Sequence, residues 1–437
     1  MKAAFHNLGC KVNAYETQSM EQMFVAAGYE IVDFEKEPAD IYIINTCSVT
    51  NIADRKSRQM LHRARKQNPD AVVVAAGCYV QASADGILED DAVDILIGNN
   101  KKTDIVAIVE AYLKEKKKSR NVVDIAKTTE YENLSIDTVY EQTRAYIKVQ
   151  DGCNQFCTYC IIPYTRGRIR SRKPETVLDE VRRLAAKGYR EVVLTGIHLS
   201  SYGKDFGEQD YSLIELTEAV NEVGGIERIR LGSLEPGIVT EEFAKRLSAL
   251  EKICPHFHLS LQSGCDATLK RMNRRYTAKE YEQRCSILRE RFDNPAITTD
   301  VIVGFPGETE EEFCITKEFL ERIRFYEMHI FKYSRRKGTT AAEMAGQVAV
   351  GEKGRRSDEL LSLEKKMSRE YRQKLIETKT SVLFEEKIFI NGEEYFVGHT
   401  KTYVKVAVMS ENDLRNCILD IKIIQCLTDD IMLGQIS

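Results

Sequence analysis

Asp151-Gly152-Cys153-Asn154-Gln155-Phe156-Cys157-Thr158-Tyr159-Cys160 is the stretch on which the fold turns. Its three cysteines, spaced C-x3-C-x2-C, follow directly on a short apolar strand, Tyr146 to Val149, the first of six that alternate with helices as far as Tyr333. The other strands are expected near Glu191 to Thr195, Arg228 to Leu231, His256 to Leu261, Thr299 to Val303 and Met328 to Phe331. Helices such as Pro174 to Lys187, Thr277 to Arg291 and Thr309 to Ile323 lie between them. Alternation of this kind predicts a mostly parallel sheet covered by helices. Six such units make an open or partial barrel, whose active site belongs at the carboxyl ends of the strands. The cysteine loop sits at the first of those ends.

Twelve cysteines in 437 residues, without a basic and apolar leader at Met1 to Cys10, point to metal ligation, catalysis or burial rather than a disulfide framework. A structural zinc would want a fourth protein ligand, and neither His nor Cys lies between Cys160 and His198. Three thiolates suit a [4Fe–4S] cluster with one iron left open to a small-molecule ligand, with zinc as the alternative.

Outward toward the N-terminus, strands are expected at Lys2 to Leu8, Glu30 to Phe34, Ile41 to Thr46, Ala71 to Ala76 and Ile95 to Ile97, with helices at Ala14 to Ala27 and Ala53 to Lys66. Cys10, Cys47 and Cys78 each come just after such a strand. Carboxyl ends of parallel strands share one edge, so the three can converge on one site; burial of three small residues is the competing explanation. A basic run, Lys114 to Arg120, leads into a polar stretch, Lys127 to Thr143, expected to be a linker. Beyond the barrel, residues 353–378 read as a basic helix, and the last sixty alternate apolar and polar residues as a small all-β module does. The expected division is therefore 1–126, 140–375 and 376–437, in an α/β protein with a small β-barrel at its C-terminus.

Composition is that of a globular protein, with 43% hydrophobic and 30% charged residues, and no window approaches 18 uninterrupted apolar residues. A cytoplasmic protein without membrane contact is expected. The net charge of −4 excludes nucleic-acid binding by bulk attraction and leaves it to local patches. One is Arg166, Arg168, Arg170, Arg172 and Lys173, directly after the cysteine loop, although such a run is commonly just a solvated face.

The C-x3-C-x2-C loop with Tyr159 before its last cysteine resembles that of the radical S-adenosylmethionine (SAM) enzymes. The resemblance implies that SAM chelates the open iron of a cluster on Cys153, Cys157 and Cys160, the catalytic trio, and is cleaved to a 5′-deoxyadenosyl radical. It also implies a SAM pocket drawn from Tyr159 and the strand-end segments that carry Thr195, Gly196, Ser233, Glu235, Gln262 and Gly304.

Over the whole chain the resemblance is to the methylthiotransferases. It implies a second [4Fe–4S] cluster on Cys10, Cys47 and Cys78, a radical SAM core, and a C-terminal TRAM barrel, the RNA-binding module of that family, to which Gly398-His399-Thr400-Lys401-Thr402-Tyr403-Val404-Lys405-Val406 is similar. RNA contacts are then expected from Arg166, Arg168, Arg170, Lys401 and Lys405. Leu8-Gly9-Cys10-Lys11-Val12-Asn13 resembles the branch acting on N6-threonylcarbamoyladenosine in the tRNA anticodon loop, and Cys265 departs from the usual Ser after Gln-Ser-Gly. The implied partners are tRNA and an electron donor such as a flavodoxin or ferredoxin. The competing functions are methylthiolation of isopentenyladenosine or of a ribosomal-protein aspartate, and a non-catalytic iron–sulfur protein that binds RNA or senses redox state.

Overall fold

The computed structural model describes residues 1–137, 143–208 and 211–437. At the N-terminus six parallel strands lie in the order Glu30–Val32, Lys2–Asn7, Ile41–Thr46, Val72–Gly77, Ile95–Ile97 and Ser119–Asn121. Ile41–Thr46 and Val72–Gly77 are buried along their whole length, as expected of central strands covered by helices on both faces. The sixth strand falls within the basic stretch that was expected to lead into a linker: Ser119 and Asn121 carry little apolar signal, and the edge position makes few packing demands.

The expected linker is also tied down where it is described. Leu134 and Ile136 are buried in the core of the central domain, and the Tyr15 hydroxyl donates to the Leu134 carbonyl at 2.7 Å. The Ile136 amide donates to Glu180 at 3.1 Å. Residues 138–142 of that segment lie outside the described residues.

The central domain has six parallel strands, Arg144–Asp151, Glu191–Gly196, Arg228–Leu231, His256–His258, Ala296–Val303 and Glu327–Lys332, joined halfway by isolated bridges such as Ile229 with Ile253. Among the described residues the first and last strands do not pair, so the barrel is open on one side. Its two faces differ in chemistry. Ile147, Val149, Val192, Leu194, Ile229, Leu231, Phe257, Ile297, Val301 and Met328 pack outward into one apolar core beneath the helices. By the two-residue period of a strand, Arg144, Tyr146, Lys148, Glu191, Arg228, Arg230, His256, His258, Asp300 and His329 face inward. A polar lumen of this kind suits a polar substrate.

A 24-residue helix, Val350–Gln373, leads to a closed five-stranded barrel formed by Lys379–Ile390, Glu393–Thr400, Lys405–Val408, Ile418–Cys426 and Ile431–Ile436. This small barrel closes the floor of the larger one. Arg228 donates to the carbonyls of His399 and Ser381 at 2.8 and 2.9 Å, and Arg230 donates to that of Lys401 at 3.0 Å. The Tyr403 ring lies between the guanidinium groups of Arg144 and Arg230, 4.9 and 4.7 Å from its centroid. No helix among the described residues is long and apolar enough to cross a membrane.

Candidate active site

Cys10 caps the helix Lys11–Ala26, Cys47 follows Ile41–Thr46, and Cys78 opens the helix Cys78–Leu88 after Val72–Gly77. Three adjacent parallel strands thus deliver one cysteine each to a single edge. Asn13 fixes their loops together, its side-chain amide donating to the carbonyls of Leu8 at 2.7 Å and Thr46 at 3.0 Å. Cys47 and Cys78 are buried while Cys10 opens to solvent. Burial pushes the Cys47 thiol up to about 11, and the charges of Cys78 and Cys10 push in the same direction, so the three sulfurs sense one another.

Cys153, Cys157 and Cys160 lie in the loop after Arg144–Asp151. That loop is pinned by the Cys153 amide on the Gly167 carbonyl at 3.0 Å and the Thr158 amide on the Met272 carbonyl at 3.0 Å. Burial raises Cys153 to about 11 and Cys160 to about 12. Gly152 has φ +72°, and a Cβ there would come 1.8 Å from the Arg168 carbonyl oxygen. Gly152→Ala is therefore expected to displace the loop and lower the iron held by the barrel trio, read as iron per chain after reconstitution.

Both trios fit iron–sulfur clusters better than a single ion. A tetrahedral zinc with bonds of about 2.3 Å needs sulfurs roughly 3.8 Å apart. Among the described residues the group of three potential ligands gathered within 4.8 Å is His258, Asp300 and His329; neither cysteine trio is drawn in so tightly. Each trio also has a guanidinium aimed at a sulfur. Arg166 donates to Cys78 Sγ and Arg274 to Cys157 Sγ, both at 3.2 Å, as expected around sulfurs that carry charge. Asn99 adds a longer contact to Cys78 at 3.6 Å.

The proposed SAM-pocket residues are brought only partly together. Glu235 meets Gln155 at 3.0 Å, His198 at 3.3 Å and Arg274 at 3.8 Å, so this carboxylate is wired to the cluster loop. Tyr159 packs edge-on against Phe305, with ring centroids 6.3 Å apart. Thr195 and Gln262 are buried, and Ser233 is exposed. Gly304 is accounted for by packing, because a Cβ there would meet Lys353 Cγ at 2.3 Å. Arg274 was missed by sequence reading, since an arginine after a short helix in a charged stretch carries no distinguishing pattern.

The expected RNA contacts need correction. Arg166 and Arg170 are fully buried, and Arg172 nearly so. Arg166 reaches into the N-terminal domain, donating to Glu16 at 3.0 Å and to Asn13 at 2.6 Å. Burial alone would raise the Glu16 carboxyl, but Arg166, Lys102 and Lys148 hold it well below the usual range. Arg170 lies 3.7 Å from Asp151, and Arg172 is paired with Glu180. Arg166 thus makes a buried ionic seam with the N-terminal domain, while Arg170 and Arg172 pair inside the barrel domain. The four arginines are two residues apart, so a regular strand would put them on one face, and Arg168 turns outward after Gly167 at φ +72°. Arg168 does reach solvent, with its guanidinium 4.5 Å from the Phe156 ring centroid, and Phe156 meets the half-exposed Tyr164. Lys401 is turned into the domain junction, its ammonium donating to the Glu251 carbonyl at 2.9 Å, while Lys405 is half-buried.

Residues 147–320 match the radical SAM superfamily, and residues 2–98 match the uncharacterized protein family UPF0004. The chain is 42% identical over 424 residues, 97% of its length and 93% of the relative's, to the threonylcarbamoyladenosine tRNA methylthiotransferase MtaB of Bacillus subtilis (strain 168). It is 35% identical over 425 residues, covering 95% of this chain and 88% of the relative, to the tRNA-2-methylthio-N(6)-dimethylallyladenosine synthase of Thermoanaerobacter sp. (strain X514). Among solved structures, the radical SAM methyltransferase TsrM of Kitasatospora setae superposes with a TM-score of 0.56 at 16% identity, over 76% of this chain and 74% of that one, a likeness of fold alone.

Proposed function

Because this chain belongs to the radical SAM tRNA methylthiotransferase family, we propose that it methylthiolates carbon 2 of N6-threonylcarbamoyladenosine at position 37 of tRNA. The observation that carries this reading is the pairing of two cysteine trios across one ionic seam, with Arg166 rising from the barrel's cluster loop to the sulfur of Cys78. Cys10, Cys47 and Cys78 would hold one [4Fe–4S] cluster, and Cys153, Cys157 and Cys160 the other, with SAM beside it. When bound, these groups supply one-electron chemistry and sulfur, which an adenine carbon bearing a non-acidic hydrogen requires. The chain's own part is to hold and orient. Arg166 and Arg274 each donate to one cysteine sulfur, and the Glu235 network anchors the barrel loop. Arg168, Phe156 and Tyr164 offer a cation and two rings at the surface beside that loop, suited to a phosphate and a splayed base of an anticodon loop. A small electron-transfer protein such as a flavodoxin or ferredoxin in the cytoplasm completes the reading.

The test offers reconstituted enzyme two tRNAs, one bearing threonylcarbamoyladenosine and one bearing isopentenyladenosine, with nucleoside mass spectrometry as readout. Methylthio product is expected mainly from the first. Preference for the second would reassign the branch, and product on a ribosomal protein alone would remove the RNA reading.

A further inference from the structure

Inside the open barrel, His258, Asp300 and His329 come from three adjacent strands and face one another. Asp300 bonds both imidazoles, His258 Nε2 at 3.3 Å and His329 Nδ1 at 3.2 Å, and the other nitrogen of His258 is engaged by Thr298 at 3.0 Å. Among the described residues no hydrogen bond reaches the remaining nitrogen of His329, and that side chain is 60% exposed. The hydrogen bond to Asp300 raises the His329 imidazole above its ordinary range, which favours a proton on both nitrogens. The charged and titratable groups facing it are Asp300, Glu327, His258 and Lys11, the last reaching across from the N-terminal domain.

Lys11 sets this place apart. The other cations turned into the barrel are engaged: Arg144, Arg228 and Arg230 with Glu191, and Lys148 with Glu16 and Asp151. Lys11 lies 6.0 Å from the centroid of the inward-facing Tyr146 ring, and among the described residues no carboxylate pairs with it. Among the described residues no carboxylate hydrogen-bonds the Lys11 ammonium or the second His329 nitrogen, although Glu191 acts on Lys11 from farther off, and these two donors share one polar lumen.

We propose that Lys11 and His329 form the subsite that takes the carboxylate of the substrate's N6 substituent, with Asp300 and His258 positioning the His329 ring. This rests on the substrate reading above. Threonylcarbamoyl ends in a carboxylate, whereas an isopentenyl chain has nothing to offer these donors, so the subsite discriminates between the two by charge. A divalent metal ion is the competing occupant of the three side chains, whose ligand atoms lie within 4.8 Å of one another, and its binding is one outcome of the test.

The test titrates the holoenzyme, at matched iron content, with an anticodon stem-loop bearing threonylcarbamoyladenosine or its methyl ester. The ester removes the charge and keeps the shape. Wild type is expected to bind the acid about tenfold or more tightly than the ester, the scale of a charge-assisted hydrogen-bond pair. His329→Gln and Lys11→Met should each erase most of that preference by weakening the acid alone, and His329→Lys should keep part of it. Equal affinity of wild type for acid and ester, or equal loss of both in the variants, overturns the subsite. So does a stoichiometric zinc or manganese ion held by wild type and lost in His258→Gln. Failure of the substrate reading is separately visible, as absence of methylthio product when wild type is given the threonylcarbamoyl tRNA.

Discussion

Reconstituted protein is expected to carry about eight irons per chain, falling to about four when either Cys10, Cys47 and Cys78 or Cys153, Cys157 and Cys160 are changed to Ala, because a cluster that loses three thiolates is not held. The two trios hang on different parts of the fold, one on the strand ends of the six-stranded sheet and the other on the loop after the first barrel strand, so each loss should be independent. The functional consequences should differ. Without the N-terminal trio, methylthio product should vanish while reductive formation of 5′-deoxyadenosine persists; without the barrel trio both should vanish. Four irons in wild type, or product from protein lacking the N-terminal trio, would refute the division. Cys254, Cys265 and Cys285 are buried and should be dispensable for iron. Cys314 and Cys426 are exposed, and they too should leave iron content unchanged.

Arg166→Ala is expected to be among the most damaging single substitutions in the chain. It would leave Glu16 and Asp151 in a buried seam with one guanidinium fewer and remove the donor to Cys78. Breaking one partner out of a buried ionic network costs about 3–5 kcal/mol, so a large fall in denaturation midpoint should accompany reduced cluster content. Lys148 and Lys102 remain beside Glu16 and moderate the loss. Arg168→Ala is the contrast. Its side chain is exposed, so stability should change by no more than about 0.5 kcal/mol while tRNA affinity and its salt dependence fall. Equal stability of the two variants would show that the seam is not what holds the domains together.

Much of this was legible from residue order. The spacing of Cys153, Cys157 and Cys160 marked the barrel site, and the placement of Cys10, Cys47 and Cys78 after strands marked the second, because parallel strands put their carboxyl ends on one edge. Apolar periodicity located all six barrel strands and five of the six N-terminal ones, the exception being the polar edge strand Ser119–Asn121, which buries too little to leave a pattern.

What the chain's order could not say was where its charges go. Arg166, Arg168 and Arg170 are alike in a linear reading; only the closed tertiary structure buries Arg166 against Glu16 of the N-terminal domain and Arg170 beside Asp151 of the barrel, and leaves Arg168 in water. The same holds for Lys401, turned into a domain junction, and for Lys11, His258, Asp300 and His329, which lie as many as 318 positions apart by their numbering and meet only in the lumen. Local sequence encodes which face of an element is apolar. The partner of a buried charge is set by desolvation, which exists only once the elements have closed around it.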